Sequence, residues 1–239
     1  MTGTEAPDQP LVAALIAQLQ GMRDAERELF GALDPAVRDR PIRAGDWSPK
    51  DHQAHLTAWK ARQADRIRDR DNVPPPAAAD RETDEINAEL HALRADWAWV
   101  RIVAEADEVS ARLEDEIRAA GDEVLLESGR FVAGIFGNGP FHAATHFGWL
   151  LEAGVGVDAG RVEAFVDEEE ALLNSTSLPD SDRGVGIYNL ACSHAVAGRL
   201  DRARPLLRDA FRLRPDLAEF AKEDQDLAEL RGELSTLAD

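Results

Sequence analysis

Apolar residues in this chain recur at steps of three and four, and no stretch alternates apolar with polar over the length of a strand. Leu11, Ala14, Leu15, Leu19, Met22, Leu29 and Phe30 follow the helical spacing until Asp34-Pro35 stops it. Trp47-Ser48-Pro49-Lys50-Asp51 is a second helix start: Ser48 can cap, Pro49 suits the first turn, and Asp51 stands at the capping-box position. That helix is expected to run to about Arg70, before a loop at Asn72 to Ala79 around Pro74, Pro75 and Pro76. Ile86, Leu90, Leu93, Trp97, Val100, Val103, Val109, Leu113 and Ile117 carry the pattern from Thr83 to Ala120, as one bent helix or two, with Gly121 at its end. Gly129 to Pro140 is glycine-rich, and the next helix begins near Pro140 and ends at Gly154. Four amphipathic helices joined by short to medium loops predict an all-α four-helix bundle over residues 1–158.

The remainder has a different character. Arg161 to Leu173 reads as a helix with acids at Asp167 to Glu170, and Asn174 to Arg183 as a polar linker, so 159–183 is a connecting segment. Over 184–239, Ile187, Leu190, Ala191, His194, Gly198, Ala203, Leu207, Ala210 and Pro215 resemble the small, large and turn positions of a single tetratricopeptide repeat. That is a helical hairpin turned by Gly198 and ended by Pro215. One repeat cannot bury its own apolar face, so it is expected to dock on something. A third helix from about Leu217 to Leu234 is the expected cap. Its acids (Asp216, Glu219, Glu223, Asp224, Asp226, Glu229) are expected to face the arginines of the preceding helix, from Arg199 to Arg214.

Histidines carry the chemistry. His142 and His146 are four residues apart and share one face of a helix. His55 lies one turn before Trp59 on another helix and is expected to point to the bundle axis. Three imidazoles from two helices would make a facial metal site with an open position, the layout of a catalytic centre. The candidate ligands are His55, His142 and His146, and His52, one turn before His55, competes for the same place. His91 reads as a helix-surface residue, His194 as a packing residue and Cys192 as core rather than nucleophile. Trp47, Trp59, Trp97 and Trp149 are candidate pocket walls, although each reads first as a core aromatic. No general base stands out; Asp51 is placed better for capping than for catalysis.

Composition excludes several roles. Lys and Arg number 27 against 46 Asp and Glu, a formal charge of −19, which argues against nucleic-acid binding and against anionic membranes. The basic run Lys60, Arg62, Arg66, Arg68, Arg70 is interleaved with Asp65, Asp69 and Asp71 and reads as the solvated face of a helix end. A single cysteine, no apolar run near the ~20 residues of a membrane span, and no secretory signal pattern lead to the expectation of a cytoplasmic, soluble protein.

Trp47-Ser48-Pro49, then His55-Leu56-x-x-Trp59, then Ile86-Asn87-Ala88 opening a helix, then His142-x3-His146 resembles the DinB-like superfamily of four-helix bundles over about Pro10 to Gly154. Trp59 and the Asn87 region resemble its ClbS/DfsB-type branch, while the full histidine triad resembles the metal-binding branches. The resemblance implies a divalent metal, zinc or nickel, held by His55, His142 and His146. It further implies a transferase or isomerase using a low-molecular-weight thiol, or a hydrolase, acting on a small electrophilic substrate. A non-catalytic protein that binds a small molecule, or recruits a protein partner through the C-terminal repeat, is the alternative. Members of the superfamily are often homodimers, which the added tail could prevent.

Overall fold

The computed structural model describes residues 9–42, 47–70, 83–128, 130–175 and 178–238. The expected proline loop at Asn72 to Ala79 falls outside these residues. The described chain is all-α, without strands. Helix α1 (Pro10–Gly31) is followed by the short α2 (Pro35–Arg38), then α3 (Pro49–Arg68), α4 (Thr83–Ala92), α5 (Trp99–Ser128), α6 (Arg130–Asn138) and α7 (Pro140–Glu152). Helices α1, α3, α5 and α7 pack together as the bundle, and α6 lies across α3, α5 and α7.

Local chemistry sets several boundaries. Ser48 Oγ accepts from the Asp51 amide, and the Asp51 carboxylate accepts from the Ser48 amide at 2.9 Å, so the expected capping box fixes the first turn of α3. The Thr83 pattern resolves into two helices, α4 and α5. Gly121 does not end α5: with φ of 75° it kinks the chain, and helix resumes to Ser128. The kink delivers the Asp122 carboxylate to the start of α1, where it accepts from the Leu11 and Val12 amides at 3.1 and 2.9 Å. A side chain from α5 thus caps α1, whose own N-cap residue, Gln9, makes no side-chain capping bond among the described residues. Within the glycine-rich stretch, Arg130–Asn138 is itself helical, as α6. Its Gly134 lies against Gln63, where a β-carbon would come within 2.6 Å of the amide oxygen.

Helix α8 (Ala159–Ser175) packs on α1 and α7. Helix α9 (Asp180–Val196) begins earlier than the expected linker allowed, so Asp180 to Arg183 of that polar stretch are helical. Gly198, with φ of 72°, turns α9 into α10 (Leu200–Leu213), and this hairpin docks on α6, α7 and α8. Two close approaches make the docking possible. Gly148 of α7 meets Ser193, Val196 and Ala197, and a β-carbon on Gly186 would sit 2.7 Å from Leu173 Cδ2. One apolar core runs without interruption from Leu11 through Phe147 and Leu190 to Leu237.

The expected third helix is not continuous. It is broken into α11 (Leu217–Phe220), a 3-10 turn (Gln225–Leu230) and α12 (Leu234–Ala238). Of its expected acids, Asp216 pairs with Arg214, whereas Arg204 is held by Glu233 and Arg202 reaches Asp167 and Glu170 of α8. Asp224 instead accepts from the Tyr188 hydroxyl at 2.7 Å and lies 3.7 Å from the Cys192 thiol.

His194 is fully buried in the hairpin, as expected of a packing residue, and its Nδ1 accepts from Arg199 Nε at 3.0 Å. Burial first, then the charges of Arg199 and Arg202, lower its pKa to about 4. The unfolded chain takes up a proton near pH 6.5 that the folded chain refuses until about pH 4. Stability is therefore complete above roughly pH 6.5 and falls as the pH drops toward 4. His194→Gln is expected to remove about one proton's worth of that slope. Denaturant midpoints at neutral and mildly acid pH, compared with the parent protein, check this, and an unchanged slope would contradict it.

Candidate metal centre

The capping box fixes where α3 starts, and that start places His52, His55 and Trp59 at successive turns along one side of the helix. Helix α7 starts at Pro140 and presents His142 and His146 one turn apart. The two helices bring His55 Nε2 to 3.0 Å from His142 Nε2, which lies 3.2 Å from His146 Nε2. His55, His142 and His146 form a group able to hold a metal ion, with donor atoms all within 4.8 Å of one another. Bonds of ~2.0–2.1 Å at tetrahedral angles separate ligand nitrogens by about 3.3 Å. The observed spacings therefore fit a cation with little movement. Among the described residues, the Nδ1 atoms of His55 and His142 have no hydrogen-bond partner, which leaves both rings available to the centre.

The electrostatics suit a ligand set. Burial, then the neighbouring His142 and His52, lower the His55 pKa to about 2. Burial, then the charge of Lys60, lower His142 to about 4, and burial pushes His146 down as well. All three rings are neutral at physiological pH, with lone pairs available.

Aromatic residues wall the cluster. Trp47 packs on His55 with ring centres 4.6 Å apart and also stacks on His91 at 5.6 Å, nearly parallel. Trp59 stands 6.2 Å from His55 and 6.4 Å from His142, with its indole N–H donated to Asn87 Oδ1 at 3.1 Å. Trp149 lies 4.8 Å from His146 and is 38% exposed, which places it at the rim. Trp47, Trp59 and Trp149 are thus walls rather than core aromatics. Trp97 is elsewhere, under the Arg101 guanidinium at 3.4 Å. His91 is not a free surface residue either, since its Nε2 also lies 3.5 Å from Asp51 Oδ1.

Two features were not visible in the sequence. His52, the competing candidate, is 8% exposed and turns its Nδ1 toward His146 Nδ1 at 2.6 Å, on the far side of that ring from His142. Lys60, expected on a solvated face, is 1% exposed. Its ammonium sits on the Glu26 carboxylate at 2.7 and 2.9 Å, and Glu26 also accepts from Arg23 and Gln53. Arg23 carries the network outward to Asp107. The signal that could have pointed to Lys60 is its seven-residue spacing from Gln53 on the polar, inward side of α3.

Cys192, Asp224 and Asp226 form a second group of metal-capable atoms. Burial, then Asp224, hold the Cys192 thiol well above its ordinary pKa, so it stays protonated, in keeping with a core residue.

An all-α bundle that closes three neutral imidazoles around one point defines a helical protein with a histidine-rich centre able to hold a metal ion. The chain belongs to the DinB superfamily, whose family model matches residues 18–153. That span includes His52, His55, His142 and His146 and stops before α8. No curated protein and no solved structure matches the chain. Among the described residues, no helix is long and apolar enough to cross a membrane.

Proposed function

We propose that this DinB-type protein is a metal-dependent enzyme in which His55, His142 and His146 hold one divalent cation, zinc or nickel. The observation that carries the reading is the convergence of three Nε2 atoms at metal-ligand spacing from two helices. A divalent cation there supplies positive charge that eases the ionisation of a coordinated thiol or water. Three neutral imidazoles leave that charge undiminished and leave part of the coordination sphere open.

The chain's other residues define what reaches that open side. Trp47, Trp59 and Trp149 line it with flat apolar surface, which excludes water and can stack on a small electrophile. Asn87 holds Trp59 in place, and Trp149, 38% exposed, is the part of this wall in contact with solvent. The proposed chemistry is transfer of a low-molecular-weight thiol to the electrophile, or its isomerisation or hydrolysis. A non-catalytic role in sequestering a small molecule is the second reading. It is favoured by the commitment of the nearest α3 carboxylate, Asp51, to the capping box rather than to a substrate.

Elemental analysis of protein purified without a histidine tag tests the centre. About one divalent ion per chain is expected in the parent protein and almost none in the His55→Ala/His142→Ala/His146→Ala variant. Equal, low metal content in both would sink the reading. Conjugation of mycothiol, bacillithiol or glutathione to a small electrophile, lost in the same variant, separates enzyme from binding protein.

A further inference from the structure

We propose that His52 is a positioning residue for this centre: it accepts a hydrogen bond from His146 Nδ1 and so supports the tautomer in which a bare His146 Nε2 faces His55 and His142. The inference rests on the three-histidine reading and assigns a role to a fourth ring that is not one of the three.

The geometry argues for it in three ways. The two Nδ1 atoms are 2.6 Å apart, a distance that requires one proton between them. A neutral imidazole has a single N–H, so placing that proton on His146 Nδ1 leaves His146 Nε2 bare and ready to coordinate. The opposite assignment puts the N–H on His146 Nε2, aimed at His142 Nε2 only 3.2 Å away, and blocks coordination. Occupation by a cation therefore selects the first tautomer, and His52 is the group that accepts it.

His52 is also held in place to do this. It is 8% exposed, its ring meets His146 edge-on at 74°, and Trp47 and Trp149 flank it with ring centres at 5.8 and 6.4 Å. Its Nδ1 approaches the side of His146 that faces away from the three convergent Nε2 atoms, so it orients a ligand rather than adding one. One turn of α3 separates it from His55. The same helix thus supplies one ligand directly and steers another across the helix interface. Partners that accept the distal N–H of a metal-bound imidazole set its orientation and strengthen it as a donor.

Zinc affinity by chelator competition, together with the visible spectrum of the cobalt(II)-loaded protein, tests the assignment in four proteins: the parent, His52→Ala, His52→Asn and His146→Ala. His52→Ala is expected to weaken zinc binding roughly 10- to 100-fold while the cobalt bands keep the parent's coordination number. His52→Asn, whose Oδ1 can accept at the position of the lost Nδ1, is expected to recover most of the affinity. His146→Ala is expected to lose more affinity and to change the cobalt spectrum. Unchanged affinity in His52→Ala would overturn the proposal. So would a changed coordination number in that variant with no recovery in His52→Asn, since His52 would then be a ligand. A parent protein that takes up no metal fails at the first titration, which identifies the three-histidine reading itself as the fault.

Discussion

Replacing Glu26 by leucine is expected to destabilise the protein by about 3–5 kcal/mol, the largest single-residue effect in the bundle. Glu26 is completely buried and is the counter-ion of Lys60, itself 1% exposed. Desolvation already lowers the Lys60 pKa, and the Glu26 charge is the chief influence opposing it. Without the carboxylate the ammonium must lose its proton or remain unpaired in the core, and Gln53 and Arg23 lose an acceptor as well. For a chain of this size the loss corresponds to a fall in melting temperature on the order of 10 °C. Equilibrium denaturation of Glu26→Leu measures it. The paired replacement Glu26→Leu/Lys60→Met should recover much of the stability, because it removes both charges. A single variant within about 1 kcal/mol of the parent would show that the site relaxes or admits water.

Deleting residues 180–239 is expected to leave a bundle that aggregates rather than one that folds unaided. Helix α9 covers α7 through Gly148 and covers Phe141 and Leu173 through Gly186, and the apolar core is continuous across that contact. Exposing a buried Phe or Leu forfeits about 1.5–3 kcal/mol each, so losing the cover on four or five of them is comparable to a typical net stability of ~5–15 kcal/mol. Light scattering and the cooperativity of thermal melting check this. A monodisperse fragment 1–179 with the parent's melting temperature would show that the hairpin is an independent module, free to serve as a docking site. We propose the opposite, that it is a structural cover for the helix carrying His142 and His146.

The legible parts of the sequence were those decided within a few residues. Ser48, Pro49 and Asp51 announce the start of α3 because a capping box is built from neighbours. The four-residue step of His142 and His146 needs only that the segment be helical. Illegible parts were those decided by distant partners. Nothing near Leu93 marks the break between α4 and α5, where Arg94 leaves to pair with Glu105. Gly121 reads as a stop, yet helix resumes after it, with Asp122 bonded to the distant start of α1. Gly134, Gly137 and Gly139 suggest irregular chain, yet α6 forms, with Gly134 letting the helix approach Gln63.

The same division runs through the centre. Residue spacing by itself determined an all-α chain, the helices that carry His55 and the His142/His146 pair, and the side of each helix they occupy, because helical periodicity is a local property of the backbone. Only the tertiary structure decided that the three Nε2 atoms meet, that His52 backs His146, that three tryptophans wall the site and that Lys60 lies inside on Glu26. Those outcomes depend on how α1, α3 and α7 pack, and side chains tens of residues apart become neighbours only when the core between them closes.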